Sequence, residues 1–263
     1  MNDLLLRPAR FALLVFLVLF AQSVRAIEPV EEIVEQKYPV DPDASLSLQN
    51  VDGSIRVYAG DVSQISIEAI KRAYTTDRLK QIVVSVQATQ TSVVIETIFP
   101  PKKNGFGLSD RSGTVEYNLI VPRATRITHL DLVNGEVLVE SLRGGSAAAH
   151  VVNGWVAAHN CFGDLNLRIE TGRLDVAYDW WENTKASVEL SSEHGNIRAV
   201  IPSDASASIT ARTSTGKIAN ALDPKEQDAS EPIRSLEFAT EPNPEALFQI
   251  NSTTGNIRIE KTY

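Results

Sequence analysis

Hydrophobic and polar residues alternate through most of this chain, and the alternation changes phase at regularly placed glycines. Leu130 and Leu132 alternate with polar residues before Gly135, and Val137 and Val139 alternate again after it. Strict alternation places every second side chain on one face of a β-strand. Since the apolar positions shift by an odd number of residues at Gly135, a bulge or corner is predicted there, where glycine adopts φ > 0 without steric cost.

The same unit occurs seven times along the chain. In each copy, an apolar residue lies five positions before a glycine, and Ile, Val or Leu lies two positions after it. From Gly135 to Gly216 the spacings are 19, 18, 23 and 21 residues, which is typical of a repeat architecture. The predicted structural corners are Gly53, Gly135, Gly154, Gly172, Gly195, Gly216 and Gly255.

These repeats predict an all-β fold, a β-solenoid or β-roll of stacked short strands with glycine corners. The alternative is a sandwich built from ordinary two-residue hairpins, because Asn-Gly is also a strong hairpin signal. Hairpins require neither a fixed repeat of about 20 residues nor the same phase change in each copy, so the pattern favours the solenoid. The dense repeats cover residues 130–260.

The part of the chain before the dense repeats predicts a strand-rich N-terminal cap for the stack. Its predicted elements are strands at 33–40, 46–57, 65–69 and 115–121, one helical turn at 76–80, and a hairpin of 82–88 with 92–98. A loop is predicted at 100–113. Near the other end, the proline-containing segment 221–243 predicts an excursion from the stack, followed by a last copy at 248–259.

The first 26 residues have the pattern of an export signal. Arg7 and Arg10 form a basic region, residues 11–20 are apolar throughout, and residues 24–26 fit a small-residue cleavage site. The uncharged stretch is shorter than the roughly 20 residues that span a bilayer, so we expect no stable membrane insertion of the mature chain. The expected organisation is a signal peptide at 1–26 and one β domain at 27–263, located in the periplasm or at the cell surface.

The net charge limits the molecules that the chain is expected to bind, and the cysteine content limits its disulfide bonds. The formal net charge is −8, and loss of the signal, which carries a net charge of +2, makes it −10. Such an acidic chain is a poor partner for nucleic acid or anionic membranes. The only cysteine, Cys161, cannot form an internal disulfide; we predict a buried structural thiol, with intermolecular pairing as the alternative.

The sequence offers little that predicts catalysis. No two histidines have the spacing of a zinc hydrolase, and neither a nucleophile elbow nor a phosphate-binding glycine loop is present. A metal site is conceivable if His150 and His159 approach each other on neighbouring coils near Cys161, although scattered surface histidines are the commoner arrangement. The charged residues of the repeats are typical of solvated strand faces. We therefore predict no catalytic residue, no metal site and no cofactor.

Aromatic residues provide the one conspicuous candidate for binding. Tyr178, Trp180 and Trp181 interrupt the coil spacing. They predict either a plug that closes one side of the stack or a platform on which a sugar or peptide stacks, and the plug is favoured. Trp155, at an outward position, is a second candidate for an exposed aromatic.

The repeats resemble the bacterial putative-adhesin domain family, an exported domain of unknown function with repeated Asn-Gly-x-apolar-x-apolar motifs. The matching stretches are residues 50–57 (NVDGSIRV), 133–137 (VNGEV), 152–156 (VNGWV) and 201–207 (IPSDASA). The resemblance covers residues 32–260 and departs from the family pattern at 178–183. It implies a β-solenoid-like fold, and it implies no substrate, cofactor or catalytic residue.

These observations predict a non-enzymatic, exported cell-envelope protein with an adhesin-like surface for binding or scaffolding. Its expected partner is an envelope protein or a glycan. The alternatives are a carbohydrate-active β-helix enzyme and a periplasmic partner of an envelope-stress regulatory system. A pair of carboxylates in a concave groove, with shifted pKa values, would favour the enzyme.

Overall fold

A computed structural model describes residues 28–100, 112–222 and 232–262. The predicted signal segment, most of the predicted 100–113 loop and part of the 221–243 excursion lie outside these residues. The described chain forms one helix, α1 (Thr76–Gln81), and fifteen strands connected in one sheet. The strands are β1 (Val30–Pro39), β2 (Ser45–Gly60), β3 (Gln64–Ala73), β4 (Val83–Ala88), β5 (Ser92–Ile98), β6 (Thr114–Pro122), β7 (Arg126–Glu140), β8 (Arg143–His159), β9 (Phe162–Ala177), β10 (Ala186–Pro202), β11 (Ala207–Thr213), β12 (Ile218–Asn220), β13 (Ser235–Ala239), β14 (Ala246–Thr254) and β15 (Ile257–Thr262).

Five long strands pass through a glycine corner, so each has a first arm before the glycine and a second arm after it. These strands, β2, β7, β8, β9 and β10, pair in parallel, with their glycines in register. The same parallel pairing continues through β14 and β11 on the first arms, and through β15 and β12 on the second arms. Strands joined by two-residue hairpins would be antiparallel. The predicted β-solenoid is therefore confirmed and the hairpin sandwich is excluded.

The change of phase at each corner places apolar side chains from both arms in one core. Leu130 and Val137, on the two arms of β7, are both fully buried, as are Leu167 and Leu174 on β9. Val, Ile and Leu dominate this core, because these side chains pack well on the pleated surface of a strand.

The corner glycines form a stack with no room for a side chain. A Cβ atom added to Gly154 would lie 1.8 Å from the carbonyl oxygen of Gly135, the corresponding residue of the preceding coil. Gly154 also has a φ of 143°, and four other corner glycines have φ values between 135° and 150°. The prediction of positive φ is wrong for Gly195 and Gly216. Glycine is still required at these two positions. An added Cβ would lie 2.0 Å from the Gly172 oxygen at position 195, and 1.8 Å from the Gly255 oxygen at position 216.

In β7, β8 and β9, a second corner joins the second arm to the first arm of the next coil. Ser141 and Asn160 occupy this corner with φ values of 64° and 51°. The Ser141 N–H donates to the His159 carbonyl at 3.0 Å, and the Asn160 N–H donates to the Ala177 carbonyl at 2.9 Å. The coils are thus hydrogen-bonded to one another at this corner as well as through their arms.

The N-terminal elements cover one end of the stack, as predicted. β6 pairs with the second arm of β2, and β3 and β1 continue this half of the sheet in antiparallel fashion. β5 pairs with the first arm of β2, and β4 forms the predicted hairpin with β5. The predicted helical turn is α1, whose N-terminus is capped by the Thr75 hydroxyl, which accepts from the Arg78 N–H at 3.2 Å.

The last copy of the repeat is inserted into the stack instead of being added at its end. β14 lies between β10 and β11, and β15 lies between β10 and β12. The corner glycines therefore follow the spatial order Gly195, Gly255, Gly216. Between β12 and β14, the described residues add β13 beside β11, and the chain then enters the gap as β14.

Candidate functional site

The second corner between β9 and β10 contains the predicted aromatic residues. It covers residues 178–185, whereas the two preceding second corners have only two residues each. Tyr178 is only 2% exposed, and Trp181 is partly buried against the core. The Trp181 ring lies edge-on to Tyr178 at 5.4 Å between centroids and packs on Phe248 of β14 at 6.4 Å. Tyr178 and Trp181 have the positions that a plug requires.

Trp180 has a different environment from its neighbour. Its side chain is 43% exposed, and its ring packs on Phe162 at 5.8 Å between centroids. The indole N–H donates to a Glu182 carboxylate oxygen at 3.0 Å, and Arg143 pairs with the same oxygen at 2.7 Å. The Arg143 guanidinium also lies 5.9 Å from the Trp180 ring centroid. These contacts hold Trp180 in one orientation while a large part of its ring faces solvent.

Trp155 is partly buried on the outward face of the second arms, away from the aromatic corner. Its indole N–H donates to Asp175 at 2.6 Å, and Arg173 pairs with the same carboxylate at 2.7 Å. The Arg173 guanidinium covers the Trp155 ring at 5.1 Å. Because Trp155 is only partly exposed and an arginine lies closer over its ring than over that of Trp180, Trp155 is the weaker platform.

The histidines do not meet as the metal hypothesis requires. His150 and His159 lie on opposite arms of the same strand, β8, and not on neighbouring coils. His150 contacts Asp131 and Glu170, while His159 contacts Glu140 and Asp179. Over residues 28–100, 112–222 and 232–262, no group of three or more His, Cys, Asp and Glu side chains is arranged to hold a metal ion.

Cys161 is buried, as predicted, with 1% of its surface exposed. Its thiol donates to the Val139 carbonyl at 3.4 Å. Burial away from water raises the pKa of the Cys161 thiol from 9.0 to about 11. Folding thus favours the neutral thiol, so the stability that this group contributes is fully present below pH 9 and is lost as the pH rises toward 11.

We expect the folded chain to resist thiol reagents at neutral pH. The raised pKa lowers the thiolate fraction about 100-fold, and burial restricts access further. The rate of reaction of Cys161 with an aromatic disulfide reagent at pH 8, compared between native and urea-unfolded protein, measures this protection. Cys161→Ser provides the background. Equal rates in the two states would contradict a buried thiol.

Two carboxylates, Asp179 and Glu260, are held in the charged form by their neighbours. Hydrogen bonds from Asn160 and His159 lower the pKa of Asp179. A hydrogen bond from Arg198, with its positive charge, lowers the pKa of Glu260. A general acid needs the opposite shift, toward a pKa near neutrality. Among the described residues, these lowered pKa values are the opposite of the raised pKa that the acid of a catalytic carboxylate pair requires.

A polar groove, which sequence reasoning missed, crosses the outer face of the first arms. It encloses about 520 Å³ and is lined by three arginines, one glutamate, and serine, threonine and asparagine side chains. The arginines, Arg168, Arg212 and Arg234, come from β9, from β11 and from the segment just before β13. The sequence contains no local signal for this groove, since its residues become neighbours only through strand register and the inserted last coil.

Over the described residues, no helix has the length and apolarity that crossing a membrane requires.

Several solved bacterial structures align with this chain. A "putative cell adhesion protein" from Clostridium sporogenes aligns at 14% identity with a TM-score of 0.54, covering 89% of this chain and 100% of its own. A "putative adhesin" from Bacteroides fragilis aligns at 12% identity with a TM-score of 0.32, covering 89% and 100% of the two chains. A "putative lipid binding protein" from Parabacteroides distasonis aligns at 10% identity with a TM-score of 0.32, covering 89% and 97%. At such identity, the first likeness concerns the fold alone.

No curated protein matches the chain at a significant level. A family model described as Toastrack DUF4097 matches residues 39–260, from the end of β1 into β15. This range contains all seven corner glycines and every coil of the stack. The resemblance indicated by the repeated Asn-Gly motifs is thereby confirmed, and the chain belongs to the Toastrack DUF4097 family.

Proposed function

We propose that the chain is a non-enzymatic, exported binding protein of the cell envelope, which recognises its partner with the outer surface of the solenoid. The pattern of residues 1–26 supports export to the periplasm or the cell surface. The similar chain from Clostridium sporogenes is described as a "putative cell adhesion protein", which agrees with a binding role. The lowered pKa values of Asp179 and Glu260 make these two carboxylates unsuited to act as general acids near neutral pH.

The orientation of Trp180 carries this proposal. An exposed tryptophan on a flexible loop loses conformational entropy when a partner binds, whereas one already held by its neighbours does not. Glu182, Arg143 and Phe162 hold Trp180 in this way. A tryptophan side chain combines a large apolar surface with low rotamer freedom, which is why it is common at the centre of binding surfaces.

The partner chemistry follows from what surrounds the ring. Glu182, at the indole N–H, and Arg143, over the ring, present charged hydrogen-bonding groups beside the exposed part of Trp180. An apolar face bordered by polar groups is suited to a sugar ring or a peptide side chain that stacks on the indole and bonds at its rim. We therefore take an envelope glycan or an envelope protein as the partner of this surface.

We expect Trp180→Ala to lower retention on isolated cell envelopes by about tenfold or more, since a central tryptophan often dominates binding. Stability should fall by only about 1 kcal/mol, the usual size for a point substitution, because the side chain is only partly buried. Purified mature chain is mixed with cell envelopes and with purified peptidoglycan, and bound protein is measured after sedimentation beside a melting curve.

Val94→Ala is the matched control, because Val94 is also 43% exposed but lies on β5, away from the aromatic corner. It should bind like the wild type. If Trp180→Ala is retained as well as the wild type on both materials, the aromatic corner is not the recognition surface. Retention on envelopes but not on peptidoglycan would indicate an envelope protein or another glycan as the partner.

A further inference from the structure

The polar groove on the outer face of the first arms is built from one position on five adjacent strands. Arg168 on β9 pairs in register with Ser191 on β10, and Ser191 pairs with Asn251 on β14. Asn251 then pairs with Arg212 on β11, which in turn pairs with Ser235 on β13. Neighbouring strands lie about 4.8 Å apart, so Arg168 and Arg212 are separated by about 14 Å across three strand spacings. The groove is therefore a row of hydroxyl and amide groups with a guanidinium toward each end.

The charge of this groove contrasts with that of the whole chain. Its lining carries three arginines and a single carboxylate, Glu193, whereas the chain has a formal net charge of −8. Arg168 pairs with Glu193, and Arg212 lies 3.7 Å from Glu237 on the adjacent β13. Arg234 is exposed and has no carboxylate partner among the described residues. The lining residues together with Glu237 keep a positive balance of three arginines to two carboxylates, while Glu170 and Glu189 lie further along the same strands, outside the lining.

The arginines of the row remain available for a ligand. The Arg168 and Arg212 side chains are 54% and 64% exposed, and their ion pairs lie at the surface. Surface pairs of this kind contribute little stability, so an incoming anion replaces them at low cost. A guanidinium also presents a planar set of donors that bonds a carboxylate through two parallel hydrogen bonds.

The position of the groove on the sheet distinguishes between polymer classes. Extended peptides bind a sheet by adding a strand at an open edge, where backbone groups are free. Here the floor is the face of β9, β10, β14 and β11, whose backbone groups are already paired with one another. What the face presents is a set of side-chain hydroxyls and amides, including Ser191, Asn251 and Thr253. These groups both donate and accept hydrogen bonds, which matches the hydroxyls of a sugar chain.

We propose that this groove binds an anionic polysaccharide, with Arg168, Arg212 and Arg234 contacting its acidic groups and the serine and asparagine side chains contacting its hydroxyls. The site is distinct from the aromatic corner and does not depend on Trp180. Carboxylated and sulfated glycans both fit this site, because both carry acidic oxygens on a chain that is rich in hydroxyl groups.

The test uses polygalacturonate as the carboxylated probe, heparin as the sulfated probe and dextran as the neutral one, with polyglutamate as an acidic peptide. We expect the full mature chain to bind one or both anionic glycans, more weakly as salt rises, and not to bind dextran. Arg212→Gln should lower that affinity about tenfold or more, because it removes a charge-assisted contact. Calorimetric titration measures each affinity.

Arg258→Gln is the matched control, since Arg258 is 71% exposed and lies on β15 in the other half of the sheet. It should leave binding unchanged, as should Trp180→Ala. The ratio of polygalacturonate to heparin affinity tells which acidic group is preferred. Absence of binding to both glycans, equally tight binding of polyglutamate, or an equal loss in Arg258→Gln would overturn the proposal. Melting curves of the variants establish that each remains folded.

Discussion

Replacing Gly154 with alanine is expected to destabilise the fold by about 2–6 kcal/mol, the combined cost of a strained φ and an overpacked position. The new Cβ would lie 1.8 Å from the carbonyl oxygen of Gly135, and the backbone at residue 154 has a φ of 143°. Neither problem is relieved by a side-chain movement, because the clashing atom belongs to the neighbouring coil's backbone. Thermal and urea unfolding measure the loss.

Three other glycines separate the two causes. Gly195 has the clash, at 2.0 Å from the Gly172 oxygen, without a φ in the left-handed region, whereas Gly144 has a φ of 69° with open space around it. Alanine at either position should cost about 1–3 kcal/mol. Gly60 has neither feature, so Gly60→Ala should be neutral within about 0.5 kcal/mol. A Gly154→Ala melting curve like that of Gly60→Ala would contradict the glycine stack.

Removal of the last coil is expected to abolish the native fold, although it takes away only the C-terminal end of the chain. A chain ending at Asn243 lacks β14 and β15, which fill the gap between β10 and the pair β11 and β12. The lost side chains include Phe248, Ile250 and Ile257, each at most 1% exposed. Losing one such side chain costs about 2–5 kcal/mol, so the loss of these three, about 6–15 kcal/mol, is as large as the whole stability of about 5–15 kcal/mol that a typical domain has.

Deletion of β1 is the matched control, because this strand has a single neighbour, β3, and all of its residues are exposed or partly exposed. The chain without β1 should still unfold cooperatively, at a lower temperature. Near-ultraviolet circular dichroism and hydrogen exchange of β10 distinguish the two deletions. If the chain ending at Asn243 melted cooperatively at the wild-type temperature, the inserted position of the last coil would be wrong.

Both proposed binding surfaces depend on this inserted coil. β14 supplies Phe248, on which Trp181 packs within the aromatic corner, and it supplies Asn251 to the row of the polar groove. The insertion also brings Arg212 into line with Ser191 and Arg168. A coil added at the end of the stack would have placed β11 directly beside β10. Arg168 and Arg212 would then have been one strand spacing closer together.

The sequence by itself determined the class of fold and the position of its corners. Leu132 and Val137 are both apolar but out of phase, and only a corner between them lets both enter one core; the structure buries both. The repeated spacing indicated stacked coils, and the helical turn and the hairpin near the N-terminus were readable from short local patterns. These features depend on residues close together in the chain, where side-chain periodicity and turn preferences act directly.

Tertiary structure alone decided the order of the last coils, the polar groove and the separate environments of the two tryptophans. Repeated coils have similar edges, so local pattern does not specify whether β11 or β14 pairs with β10. The groove joins residues from 168 to 253 through register. At the aromatic corner, Trp180 and Trp181 lie outside any strand, so alternation does not tell which ring turns inward; packing against Phe248 buries one, and bonding to Glu182 keeps the other at the surface. Apart from the local bond between Trp180 and Glu182, these outcomes depend on contacts between distant segments, which form only when the whole stack is assembled.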